Sequence, residues 1–217
     1  MKSFAVLGLG RFGLAVASQL FNMGCEVLAV DKDMERVNLI SENVTQAICG
    51  DVKEESVLKT IGISNYDCVV VAVGEVSDSI LTALLVKEAG VKKLVCKATD
   101  NNHKKVLQKI GADNVIIPEH EIGIKTAVSL VSDSFVDVLD LSDRYSIIDM
   151  AVPEKWIGKN IGELNVRNKY GMNIIAVKSG DDNSEITVTP GAAYVFKEKD
   201  IMVFVGEMNI VNNRLLN

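Results

Sequence analysis

The amino-acid sequence predicts an α/β protein: a doubly wound parallel sheet with helices on both faces, followed by a small α+β domain. Three observations predict it. Short β-branched or apolar runs alternate with segments of helical periodicity as far as residue 117, the pattern of parallel strands joined by crossover helices. The first strand-to-helix junction reads Gly8-Leu9-Gly10-Arg11-Phe12-Gly13, and Asp31 closes the second apolar run, the spacing of a phosphate-cradling turn and its acidic partner. From residue 136 the helical periodicity gives way to short strands separated by turn residues.

In chain order, strands are predicted over 3–7, 26–30, 45–48, 68–73, 93–97 and 114–117, and helices over 11–23, 33–42, 54–61, 77–89 and 101–110. Gly24, Gly62, Gly90 and Gly111 follow the last periodic residue of their helices, where a left-handed conformation ends a helix at no steric cost. At the first junction the three glycines serve different ends. The first permits the tight turn, the second admits a phosphate, and the third lets helix and strand approach. The helix that follows would aim its unpaired amides at a pyrophosphate, and Asp31 would accept hydrogen bonds from ribose hydroxyls. Six parallel strands place that crevice at their carboxyl ends, near the topological switch point.

Beyond Pro118 the pattern changes. Apolar residues Ile122, Ile124, Ala127, Val128, Leu130, Val131 and Phe135 cover more than one stripe of a helix over 119–135. Two readings stay open: a crossover or dimerising helix, or one that covers its own sheet. Strands are then predicted over 136–141, 146–152, 173–178, 185–189 and 200–206, with one helix over 161–170 ending at Gly171 and turns at 178–183 and Pro190-Gly191. The expected division is a nucleotide-binding domain, 1–134, whose helix 119–134 crosses over, and a ligand-binding or dimerisation domain, 135–217. A domain of about 80 residues has a modest core and gains from packing on a second copy.

Bulk properties narrow the function. The 217 residues are 48% hydrophobic and 24% charged, with a net charge of −6 and no basic tract, so a nucleic-acid partner is not expected. No apolar run approaches the about 18 residues that a membrane span requires, and Met1-Lys2 leads directly into a strand rather than a secretory signal. A cytoplasmic protein is the expectation. Cys25, Cys49, Cys68 and Cys96 are widely spaced without CxxC and read as buried small hydrophobes. The two histidines offer little for proton transfer: His103, in a polar run at a helix start, reads as solvated, and His120 as ambiguous. With no nucleophile set or His/Cys cluster in the second domain, the reading is a binding protein, not an enzyme. The alternative is an NAD(P)-dependent oxidoreductase. A redox-sensing repressor would need a basic winged-helix domain that neither the charge nor the β-rich segment supplies.

The ordered set of Gly8-Leu9-Gly10-Arg11-Phe12-Gly13, Val27-Leu28-Ala29-Val30-Asp31, Ile48-Cys49-Gly50-Asp51, Val71-Ala72-Val73-Gly74, Lys109-Ile110-Gly111-Ala112-Asp113 and Ile117-Pro118-Glu119 resembles the successive motifs of RCK (regulator of K⁺ conductance) proteins. Within them the chain is most similar to the cytosolic subunits of Ktr potassium uptake systems. Leu164-Asn165-Val166-Arg167-Asn168-Lys169-Tyr170-Gly171 and Val188-Thr189-Pro190 resemble the C-terminal RCK subdomain, so the likeness covers essentially the whole chain. It implies a Rossmann-like TrkA-N domain with a small TrkA-C domain.

The resemblance further implies ATP, ADP or NAD(H) in the crevice. Arg11 would reach the phosphates, including a terminal phosphate in a neighbouring subunit; Asp31, Lys32 and Asp33 would lie at the ribose and adenine. Gly50 and Asp51 would flank the adenine, Ala72, Val73 and Gly74 would approach ribose and phosphates, and Lys97 would line the same crevice. Glu119 would help hold Mg²⁺ or Ca²⁺ beside the γ-phosphate, hard oxygen ligands suiting either ion. Asp33 also reads as a helix N-cap and Glu119 as a first-turn glutamate. In the second domain Ile161, Val166, Arg167, Tyr170, Asn173, Ile174 and Pro190 match positions that bind cyclic di-AMP in related proteins; core packing accounts equally well for the apolar ones. Leu14-Ala15 stands where glycine is frequent in the family, and Asp33 where some Ktr proteins carry Asn. The implied protein is a gating subunit, assembled as a homo-octameric ring of dimers at the inner face of the membrane, that controls K⁺ flux through a separate membrane-embedded subunit.

Overall fold

The computed structural model describes residues 1–131, 135–142, 144–180 and 184–207. They fall into two compact units, Met1–Glu121 and Ile122–Asn217. In the first, β1 (Ser3–Leu7), β2 (Glu26–Asp31), β3 (Gln46–Cys49), β4 (Cys68–Val71), β5 (Leu94–Lys97) and β6 (Asn114–Ile116) form a sheet in the order β3-β2-β1-β4-β5-β6. Every neighbouring pair is parallel. The intervening helices are α1 (Arg11–Asn22), α2 (Met34–Ile40), α3 (Glu55–Thr60), α4 (Val76–Glu88) and α5 (Asn101–Ile110).

Alternate strand residues feed two apolar layers. Leu7, Val30, Val69 and Leu94 pack in one, and Val6, Ala29, Val70 and Ala17 in the other. Burial on both faces is why the strands read as continuous apolar runs rather than as an alternating pattern. The chain returns through α3 from the edge strand β3 to β4, on the far side of β1. That reversal separates the loops that follow β1 and β4 and opens a crevice between them.

Each expected strand of this unit is present, shifted by two residues at most, and the four helix-stop glycines all have positive φ. The second helix is shorter than expected. Asp33 stands outside it as the N-cap, its carboxylate accepting a hydrogen bond from the Glu35 amide at 2.9 Å, and Ser41–Asn43 form a separate 3₁₀ turn.

The helix α6 spans Pro118–Val131. The remaining expected helical residues, 132–134, lie outside the described residues, and Phe135 belongs to the next strand instead. In the second unit β7 (Phe135–Asp140), β8 (Tyr145–Ala151), β9 (Asn173–Ser179), β10 (Glu185–Val188) and β11 (Ile201–Glu207) form an antiparallel sheet in the order β10-β9-β11-β8-β7. Trp156, Phe196, Phe204, Met150 and Met172 are buried over it. Part of the expected turn at 178–183 lies outside the described residues.

The single helix expected over 161–170 is two: α7 (Ile161–Leu164) and α8 (Val166–Tyr170). Asn165 breaks it in the left-handed region at φ 47°, ψ 46°, a conformation asparagine tolerates better than most residues. The break has a packing reason. Two residues apart on one helix point about 200° apart, whereas here Leu164 and Val166 are both buried in the same core.

Candidate functional site

A cavity of about 480 Å³ lies over the carboxyl ends of the parallel strands. Gly8, Gly10, Arg11 and Phe12 line it from the turn after β1, Asp31 and Lys32 from the end of β2, Asp51 from the loop after β3, Ala72, Val73 and Gly74 from the segment after β4, and Lys97 and Glu119 from beyond. Twelve of the expected site residues thus meet at one place.

The glycines of this wall divide into two kinds. Gly8 sits at φ +96°, and a Cβ there would lie 2.9 Å from the Ala72 and Val73 backbone; a Cβ on Gly13 would lie 1.9 Å from the Gly8 carbonyl oxygen. The fold itself requires these two. Gly10 has φ −69°, which any residue adopts, and a Cβ on it or on Gly74 would meet nothing within 4 Å. The open space they leave adjoins the N-terminus of α1, which has neither a side-chain cap nor an acidic residue in its first turn. Uncapped amides at the positive end of a twelve-residue helix favour an anion.

Asp31 is nearly buried and already engaged. Its Oδ2 accepts a hydrogen bond from the Leu9 amide at 2.6 Å, its Oδ1 one from the Asp33 amide at 2.9 Å, and the Arg36 Nη1 lies 3.6 Å from Oδ2. The carboxylate therefore ties the glycine turn to the end of β2, and a ribose hydroxyl would use its remaining lone pairs.

Five basic and five acidic side chains face the cavity: Arg11, Lys32, Arg36, Lys53 and Lys97 against Asp31, Asp51, Glu75, Asp78 and Glu119. The Lys53 Nζ stands 3.1 Å from Asp78 and 3.8 Å from Asp51; Lys97 contacts Glu119 at 2.7 Å. Hydrogen bonding to Lys97 holds the Glu119 carboxyl below its usual range, with the Arg11 charge adding to the effect. Likewise Ser77 and the Asp78 amide hold Glu75 low. Among the described residues neither Arg11 nor Lys32 is held by a carboxylate at ion-pair distance. The site thus has two uncommitted cations and an uncapped helix end, a set suited to a phosphorylated ligand.

Three expected residues do not line the cavity. Asp33 caps α2, Gly13 packs under Gly8, and Gly50 faces Val57, which a Cβ would approach to 3.1 Å. Arg36, Val52, Lys53, Glu75 and Asp78 line it without having been singled out in the sequence. For Arg36 a signal existed: it lies one helical turn after the N-cap Asp33, whose carboxylate its Nε approaches at 3.4 Å. Lys53 and Asp78 are brought together by tertiary packing alone.

Two readings of single residues are corrected. His103 is buried, not solvated, because with Leu107 it forms the inner face of α5. Its Nδ1 accepts from the Thr99 amide at 3.3 Å, and burial pushes its pKa down against the opposing charges of Asp100 and Glu75. Cys49 is exposed, since it ends the edge strand β3; Cys68 and Cys96 are buried, Cys25 partly so. In the second unit Val166 belongs to the core, and Ile161, Tyr170 and Ile174 pack half-buried against it, Tyr170 with its ring 5.4 Å from that of Trp156. Arg167 and Asn173 are exposed and Pro190 is half-buried.

The TrkA-N domain family matches residues 4–118 and the TrkA-C domain family residues 146–213. The chain is 40% identical over 212 residues to Ktr system potassium uptake protein C of Bacillus subtilis, covering 97% of this chain and 95% of the relative. It belongs to the TrkA-N/TrkA-C family of Ktr-type potassium uptake proteins. A second such relative, Ktr system potassium uptake protein A of the same organism, is 42% identical over 94% of this chain and 91% of its own length. These names describe potassium uptake proteins, not enzymes, in agreement with the non-catalytic expectation. The TrkA-N domain of inner membrane protein ybaL from Escherichia coli aligns with a TM-score of 0.55 at 15% identity, over 60% of this chain and 97% of that domain. The GsuK channel bound to NAD aligns with a TM-score of 0.53 at 20% identity, over 98% of this chain but only 37% of its own, much longer chain. Both confirm the Rossmann-like fold class. No described helix of this Ktr-type chain is long and apolar enough to cross a membrane.

Proposed function

We propose that this chain is a gating subunit of a potassium uptake system, with an adenine nucleotide in the crevice of its first unit as the signal. ATP, ADP or NAD(H) is the ligand, and the K⁺-translocating partner is a separate membrane-embedded subunit on whose inner face the protein assembles as an octameric ring of dimers. The observation that carries the reading is the space left by Gly10 and Gly74 beside the uncapped start of α1 and the uncommitted Arg11. The Ktr relatives support the potassium system, and NAD in the GsuK channel supports a nucleotide in this fold.

Glu119, at the edge of the crevice, offers one hard oxygen donor group; with nucleotide phosphates it would complete a Mg²⁺ or Ca²⁺ site that supplies charge neutralisation and a bridge. In the second unit, the exposed Arg167 and Asn173 would take the phosphates and base edges of cyclic di-AMP, with Ile161, Tyr170, Ile174 and Pro190 as apolar wall and Val166 supporting them from the core. A nucleotide shifts a gate only by its differential affinity for two ring shapes. If γ-phosphate contacts through Arg11 carry that difference, Arg11→Ala abolishes the ATP-versus-ADP difference in K⁺ flux through reconstituted vesicles. An unchanged difference overturns the mechanism.

A further inference from the structure

The crevice contains a cation–carboxylate pair with an uneven exposure that suggests a use. Lys97, the last residue of β5, has a side chain only 17% exposed, and its Nζ lies 2.7 Å from Oε1 of Glu119, whose side chain is 63% exposed. The wall thus fixes the ammonium, while the carboxylate is its water-facing partner. Both line the same cavity as Arg11, the first residue of α1.

We propose that Lys97 is an internal counter-ion that a divalent cation replaces: it neutralises Glu119 while no such cation is present, and gives the carboxylate up when one binds. The proposal rests on the nucleotide reading above. An ammonium has three donors and no acceptor, and one donor is spent on Glu119. Because the carboxylate faces water, separating the pair costs less than breaking a fully buried one: water solvates the released carboxylate. A Glu119 left bare would repel a polyphosphate across a small crevice; Lys97 removes that repulsion without metal, and a cation on Glu119 removes it otherwise. One lysine thereby limits how steeply nucleotide affinity depends on divalent cation.

The test is calorimetric titration of ATP into the intact protein, with EDTA or with excess Mg²⁺. Lys97→Met is expected to weaken ATP about tenfold or more in EDTA, the weight of one close charge pair, but far less in Mg²⁺. Glu119→Gln is expected to bind ATP at least as tightly as the unmodified protein in EDTA and to lose most of the Mg²⁺ dependence. Lys97→Arg, which keeps the charge, is expected to restore ATP binding in EDTA. Equal weakening of Lys97→Met in both buffers would make Lys97 an ordinary phosphate ligand, and no change in either would make it a bystander; both overturn the exchange and leave the nucleotide reading standing. Unmodified protein that binds no ATP in either buffer removes ATP as the ligand, and the exchange with it.

Discussion

Replacing Gly10 by alanine separates what the glycine turn does for the fold from what it does for a ligand. At φ −69° a Cβ is unstrained, and it would meet no atom within 4 Å. Substitution at such a position leaves the folded state intact and restricts the unfolded chain, a gain of about 0.4–1 kcal/mol. A phosphate lying against the Gly10 backbone would lose that approach. Forfeiting one charge-assisted hydrogen bond of about 1.5–3 kcal/mol weakens binding by about 10- to 150-fold. Gly13→Ala is the matched opposite: its Cβ would lie 1.9 Å from the Gly8 carbonyl oxygen, forcing α1 off β1. The cost falls at the upper end of the about 1–3 kcal/mol typical of overpacking, or beyond it, and lowers the melting temperature by about 10 °C for a unit of this size. Scanning calorimetry and ATP titration on both variants make the comparison. The reasoning is refuted if Gly10→Ala melts as early as Gly13→Ala, or if it binds ATP as the unmodified protein does.

Two further outcomes follow from single side chains. Asp67 accepts from the Lys92 ammonium at 2.8 Å and from the Ser3 amide at 3.0 Å, and these hold its carboxyl down at about 2, from an ordinary 3.8. With the folded-state pKa depressed, its contribution to stability is present above about pH 3.8 and is lost as the pH falls toward 2; Asp67→Asn should flatten the melting-temperature profile in that window, and an unaltered slope counts against the linkage. Thiol labelling of the native protein at pH 8 should show a fast phase from exposed Cys49 that Cys49→Ser removes. Cys96, whose thiol burial pushes up to about 12, should react only on unfolding.

Strands buried on both faces and helices stopped by glycine carry their signal in local sequence, so the first unit was legible almost to the residue. The second was less so. The break at Asn165 was hidden because one asparagine is a weak stop signal and the sequence does not say which way each neighbour faces; only the need to bury both Leu164 and Val166 imposes it. His103 misled for a related reason. Its polar neighbours mark a solvated surface, yet the period of α5 turns it inward with Leu107. In the crevice, the motif residues were visible as short contiguous strings, whereas Lys53 arrives from the loop after β3 and Glu75 and Asp78 from the start of α4, and their convergence is a property of the sheet order.

The structure also divides the fingerprint into parts of unequal meaning. Gly8 and Gly13 are demanded by backbone contacts, and Asp31 ties Leu9 and Asp33 together from an almost buried position. A chain that had lost every ligand would still need all three to keep this turn. Gly10, Gly74 and Arg11 are different: neither glycine has a neighbour that a Cβ would touch, and the arginine, with no carboxylate at ion-pair distance among the described residues, stands at a helix start where a cation opposes the dipole. No close contact among the described residues rewards those three choices. A phosphate in the open space would satisfy all of them at once, and it is this subset, not the motif as a whole, that argues for a bound nucleotide.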